Sequence, residues 1–172
     1  MGLDVSYFSK IKVREIGDEE KDYYYVENNN YFTYQLGSLK NGQSLDKNHD
    51  SEGGHFHAGS CSGYGIWRKH LLEMLGYVNI QDVFNDFDPN IRLMKLKEIE
   101  TGEKIKIKPF YELICFSDCE GTIGPEVSKK LYEDFVEFDN ISRMQFGDFY
   151  QTYSLFKEAF RVASDKGVVI FS

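Results

Sequence analysis

The C-terminal end of the chain constrains the fold most. Phe149, Tyr153, Phe156, Phe160 and Ala163 recur at steps of four and three, so they line one face of a helix. Asp165-Lys166-Gly167 ends that helix, and Val168-Val169-Ile170-Phe171 returns as a strand. A strand this apolar has to be paired and covered, because an exposed one invites edge-to-edge association. A helix against a buried strand is the seed of a two-layer domain, and the rest of the chain must supply the remaining sheet.

The upstream segments read accordingly. Leu3, Val5 and Tyr7 alternate and, with Ile11 and Val13, predict a strand or a bent pair. Tyr23-Tyr24-Tyr25-Val26 and Tyr31-Phe32-Thr33-Tyr34 flank Asn28-Asn29-Asn30, which suggests a hairpin because Asn tolerates a left-handed turn. Residues 37–54, with Gly37, Asn41-Gly42 and Gly53-Gly54, read as a long mobile loop. His55-Phe56-His57-Ala58 is a short strand leading to a helix with Trp67, Leu71, Met74 and Leu75 on its buried stripe and Gly76 at its end. Residues 91–99 and 103–107 read as strands, and the continuously apolar 111–116 as a central one. Gly124-Pro125-Glu126 opens a helix with Val127, Leu131, Phe135 and Phe138 along its apolar face. The expected class is α+β: a mainly antiparallel sheet with about three packed helices, in one domain over 1–172.

The chain has 172 residues, which suits one hydrophobic core rather than two. Aromatics at 16% supply enough apolar surface to offset chain entropy, so disorder is excluded as the main state. The 20 Lys and Arg stand against 28 Asp and Glu, a net charge of -8, which disfavours nucleic acid as a partner. Three cysteines, Cys61, Cys115 and Cys119, form no paired framework. No basic leader precedes an apolar stretch, and no apolar run reaches the length of a membrane span. A cytoplasmic protein with free thiols and no membrane contact is expected. Neither a cofactor nor an oligomeric state is implied.

Two segments share one design: 55–65 and 117–126 each join a strand end to a helix start through a polar, glycine-containing loop. Loops at strand ends are common ligand sites, and helix starts leave backbone N–H groups free for an anion. Were the loops to meet, they would offer His55, His57, Ser60, Ser62, Tyr64, Ser117, Asp118 and Glu120, with Arg68 adding charge. The first loop also permits plainer readings. Ser-Gly-Tyr-Gly would simply cap a helix, while Gly59-x-Cys61-x-Gly63 imitates a nucleophile elbow with Cys in place of Ser. His55-x-His57 would put two imidazoles on one face of a strand, a metal-ligand spacing if Asp118 and Glu120 came near.

Three stretches together resemble a family of short proteins from phages and bacterial genomes. These are Met1-Gly2-Leu3-Asp4-Val5, Phe56-His57-Ala58-Gly59-Ser60-x-Ser62-Gly63-Tyr64-x-x-Trp67-Arg68, and Phe116-Ser117-Asp118-Cys119-Glu120-Gly121-x-Ile123-Gly124-Pro125. The segment 156–171 is similar too, and 79–108 is least alike. That family carries an aromatic residue where Cys61 stands, which weakens the nucleophile reading. The resemblance implies a phage-associated accessory role and transfers no catalytic residue. The leading expectation is a non-catalytic module that binds a small polar or phosphorylated ligand, or a host protein, through the two loops. The alternatives are a metal-assisted hydrolase using His55, His57, Asp118 and Glu120, and an acidic inhibitor of a host enzyme.

Overall fold

The structure, a computed structural model, describes residues 2–15, 24–25, 43–46, 51–76, 109–116, 121–145 and 147–172. Among the described residues, seven strands and five helices follow in chain order. They are β1 (Gly2–Phe8), β2 (Lys12–Glu15), β3 (Tyr24–Tyr25), β4 (Gln43–Asp46), β5 (Gly53–Ser60), α1 (Cys61–Met74), α2 (Tyr111–Cys115), β6 (Gly121–Ile123), α3 (Pro125–Glu137), α4 (Asp139–Ser142), α5 (Phe149–Ala163) and β7 (Val168–Phe171). The class is α+β, as the sequence predicts, with α1, α3 and α5 as the three long helices.

The main sheet has the order β5-β1-β7-β6 and every pairing is antiparallel. The expected apolar C-terminal strand therefore lies inside the sheet, next to β1. Registration puts Phe56, Val5, Phe171 and Gly121 in one row across the four strands. Phe56, Val5 and Phe171 are buried there against the helices, because successive strand residues alternate faces and this row turns inward. The next row, His55, Ser6, Ile170 and Thr122, faces the other way. Helices α1 and α5 cover the inner face, and α3 packs on α5. All five residues of the predicted α5 stripe are buried.

A bent pair is what 3–13 becomes. β1 stops at Phe8, Lys10 takes a left-handed turn at φ 51, and β2 starts at Lys12. The backbone N–H groups of Lys10 and Ile11 donate to the carbonyls of Asp165 and Lys166, which fixes the bend to the loop after α5. β2 then enters a second sheet of order β2-β4-β3. One expectation changes here, and a second falls mostly outside the described residues. Residues 37–54 contain β4 and the start of β5, so the stretch is not a single loop. The described partner of Tyr24–Tyr25 is β4, while 26–42 lie outside the described residues.

A third expectation is overturned: 111–116 is not a central strand. Tyr111–Cys115 is a helix, and β7 holds the central place. A short apolar run carries no period that separates a strand from a buried helical turn. What decides is tertiary. Phe110 adopts φ 58, and its N–H donates to Asp134 Oδ2 at 2.8 Å. Asp134 in turn receives Lys130 Nζ at 2.8 Å, and the same ammonium reaches Glu112 Oε2 at 2.6 Å. The strands expected at 91–99 and 103–107 lie outside the described residues.

Asp139 joins α4 to α5. Its carboxylate accepts from Lys157 Nζ at 2.8 Å, Arg143 Nε at 2.9 Å and Tyr150 Oη at 3.3 Å. Partial burial works against the charge, but the hydrogen bonds from Lys157 and Arg143 outweigh it and hold the carboxyl below its ordinary range. A lowered folded-state value means stabilisation that is present at neutral pH and lost as pH falls below the ordinary carboxylate value of about 4. Asp139→Asn should thus cost about 1 kcal/mol at pH 7 and nothing well below the folded value, as the urea midpoints of both proteins along an acid series will show. Equal losses at both ends of the series would show that the charge is not what Asp139 contributes.

Candidate functional site

Ser60 closes β5 and caps α1. Its backbone is extended, at φ -77 and ψ 157, and its Oγ accepts from Gly63 N–H at 3.0 Å. Ser62 Oγ lies 3.0 Å from Ser60 Oγ, and both residues are exposed. This is the capping arrangement the residue types favour, with a serine oxygen meeting a helix N–H that has no partner within the helix. Just before it, Gly59 sits at φ 93, where the β1–β5 register slips between Gly2 and Asp4. A left-handed φ at that slip favours glycine over any side chain.

His55 and His57 stand where the alternation predicts, on one face of β5, and both are exposed. His57 Nδ1 shares a hydrogen bond of 2.9 Å with Asp4 Oδ1 across the strand pair. The histidine leans over the N-terminal strand, since a Cβ at Gly2 would come within 2.5 Å of its ring. Asp4 was invisible as a partner in the sequence: 53 positions separate the two residues, and only register brings them together. Among the described residues no group of three His, Cys, Asp or Glu gathers around one point. Cys61 is the first residue of α1 and free of any disulfide.

Two expected site residues point the wrong way for a ligand at this surface. Tyr64 has no exposed surface, and its ring packs on Trp67, Phe156 and Phe171 at 5.9, 5.5 and 6.1 Å. Arg68 is likewise fully buried. Its Nη1 donates to the carbonyls of Ile114 at 3.1 Å and Phe116 at 2.8 Å, and its Cζ lies 4.5 Å over the Tyr64 ring. The helical period places 64, 67, 68 and 71 together, so the stripe that buries Trp67 takes in Tyr64 and Arg68. Buried arginines are uncommon, which is why the sequence pattern alone pointed to a solvent-facing charge.

Ser117, Asp118 and Glu120 lie outside the described residues. The residues on either side of them are placed. Phe116 is buried on the inner face, its ring 4.9 Å from that of Phe171. Gly121 opens β6 and pairs with Phe171. Among the described residues β5 and β6 are the outermost strands of the main sheet, so Phe56 and Gly121 in the shared row are three strand spacings, about 14 Å, apart.

The two segments nevertheless arrive at one end of the sheet. Gly2 pairs with Ser60, Val5 with Phe171, and Phe171 with Gly121. Asp4 and Ser172 exchange backbone hydrogen bonds of 2.8 and 3.0 Å. That end therefore presents the start of β1, the close of β5 with the first turn of α1, the close of β7, and the start of β6. The imidazoles belong to the outer face near it, and Tyr64 and Arg68 belong to the core beneath it. A comparison with family models, with curated proteins and with solved structures finds no match for the chain.

Proposed function

We propose that the chain is a non-catalytic binding module, an accessory protein of the phage-associated kind, that takes a small polar or phosphorylated ligand at this end of the main sheet. One observation carries the reading: the first glycine-containing segment leaves the sheet at Ser60 and the second joins it at Gly121, at the same end. The hydroxyl of Ser62 and the first turn of α1 supply donors on one side, and the strand ends supply backbone groups across the middle. A span of about 14 Å between β5 and β6 suits a nucleotide-sized molecule rather than a lone phosphate.

A thermal-shift series with nucleoside mono-, di- and triphosphates and with inorganic phosphate tests this. A ligand at a hundred times its dissociation constant adds about 2.7 kcal/mol to the native state. For a chain of this size that is a rise of roughly 5–10 °C. Ser62→Ala should shrink the rise while leaving the ligand-free midpoint near the wild-type one, because Ser60 rather than Ser62 makes the cap. No rise with any nucleotide or with phosphate would remove the small-ligand reading and leave a protein partner. Pull-down at two salt concentrations then reads that partner, since charge-led association fades as salt rises.

A further inference from the structure

Five large apolar side chains are exposed among the described residues, and three of them are near neighbours in the chain: Val136 at 49%, Ile141 at 40% and Met144 at 70%. They sit where α3 runs into α4. Helical hydrogen bonds resume across that joint. Phe138 N–H donates to Asp134 O and Ser142 N–H to Phe138 O, both at 3.0 Å, and Arg143 N–H to Asp139 O at 3.2 Å. The helical period therefore persists, and steps of four set two rows side by side: Glu133, Glu137, Ile141 and Val136, Asn140, Met144. All six are exposed, while Leu131, Phe135 and Ser142 turn the other way and are buried.

The charge on this face is one-sided. Glu133 and Glu137 stand one turn apart, a like-charge spacing that destabilises a helix. Neither is in an ion pair with a described residue. The last turn of α3 carries no basic residue, although a helix C-terminus favours cations. Arg143, the cation beside the apolar patch, is committed to Asp139 at 2.9 Å and to the Tyr150 ring at 4.5 Å.

We propose that this face is a docking surface for a cationic amphipathic helix of another protein. The apolar side chains of that helix cover Val136, Ile141 and Met144, and its lysines or arginines meet Glu133 and Glu137. The groove between two rows at steps of four is the shape that a ridge of a second helix fills. Charge selects this occupant over a second copy of the chain, which would set the same glutamates against each other across a two-fold axis. Ser60 and Ser62 belong to other elements, so docking here is independent of a ligand at the sheet end.

Two synthetic peptides of one helical pattern test the proposal, the first built from leucine and lysine and the second from leucine and glutamate. Each is titrated into the full chain carrying methyl-labelled methionine and followed by NMR. The lysine peptide should shift the Met144 methyl and leave that of Met74, on α1, in place. Met144→Glu should weaken its binding at least about tenfold, as loss of a central apolar anchor does. Glu133→Gln with Glu137→Gln should weaken it about fivefold at low salt and flatten its salt dependence. The same double variant should melt no earlier than the wild type, because it removes a repulsion and no ion pair. A lower midpoint would show that the glutamates serve the fold, and would overturn the proposal. Equal binding of the two peptides, binding indifferent to Met144→Glu, or no binding of the lysine peptide at about 1 mM would overturn it too. So would a wild type that self-associates in sedimentation and is dispersed by Met144→Glu, since a second copy would then be the occupant.

Discussion

Gly167→Ala should destabilise the protein by about 3 kcal/mol or more, because the added methyl has nowhere to go. A Cβ on Gly167 would lie 1.9 Å from the carbonyl oxygen of Phe8 and 2.8 Å from Ala163 Cα. Both obstacles are backbone, so no side-chain rotation relieves them. Phe8 is fixed by pairing with Val168 on one side and Gly53 on the other. Relief therefore means parting β1 from β7 or lifting the end of α5, whose last turn is closed by Gly167 N–H donating to Ala163 O at 2.9 Å. The conformation is not the difficulty at this position. The neighbouring Lys166 is the residue at positive φ, 51°. Lys166→Gly should accordingly stabilise slightly, by about 0.5–1 kcal/mol, because it removes the cost of a side chain in a left-handed residue. Thermal midpoints of the two variants should move in opposite directions, Gly167→Ala downward by about 6–12 °C. A Gly167→Ala midpoint within about 2 °C of the wild type would mean that β1 and α5 do not approach as closely as described.

That close approach was legible in the sequence only as a helix stop. The C-terminal helix and strand were readable because their aromatic stripe repeats over four turns and a β-branched run follows it. The shared face of His55 and His57 was readable for the same kind of reason, since a period of two is local. The placement of those faces was not local. Nothing in the order of residues says that β1 and β7 separate β5 from β6, because strand order is set by pairings across nearly the whole chain. The candidate site shows the same division. The Ser60 cap is local chemistry and appears as the residue types suggest. The burial of Arg68 depends on carbonyls 46 and 48 positions away, and the partnership of His57 with Asp4 on a register that slips at Gly59. The helix at Tyr111–Cys115 follows from Asp134 holding the N–H of Phe110, a contact 24 positions long that no window over the apolar run contains.

Phe156→Ala should cost about 3–5 kcal/mol, the usual range for removing a ring from a packed interior. Phe156 has no exposed surface and stands at the meeting point of the elements around the inner face. Its ring meets Phe56 of β5 edge-on at 5.1 Å, Trp67 and Tyr64 of α1 at 5.0 and 5.5 Å, Phe171 of β7 at 6.1 Å and Phe160 one turn along α5 at 6.3 Å. Those neighbours are themselves large rings on different elements, so closing the space would require several elements to move at once, and most of the cavity should persist. Phe156→Leu keeps part of the volume and should cost about half as much. Urea melts should show the midpoint falling with an unchanged slope, which separates lost packing from a changed unfolded state. A loss below about 1 kcal/mol for the alanine variant would place Phe156 at a yielding margin of the core instead. The same variant bears on the binding surface. At a temperature where it remains folded, it should keep its response to whichever nucleotide shifts the wild type, because Ser60 and Ser62 lie at the sheet end while Phe156 lies under its middle. Binding lost in step with stability would mean that the surface and the aromatic core are one unit, and that the sheet end is not the separable site its polar residues suggest.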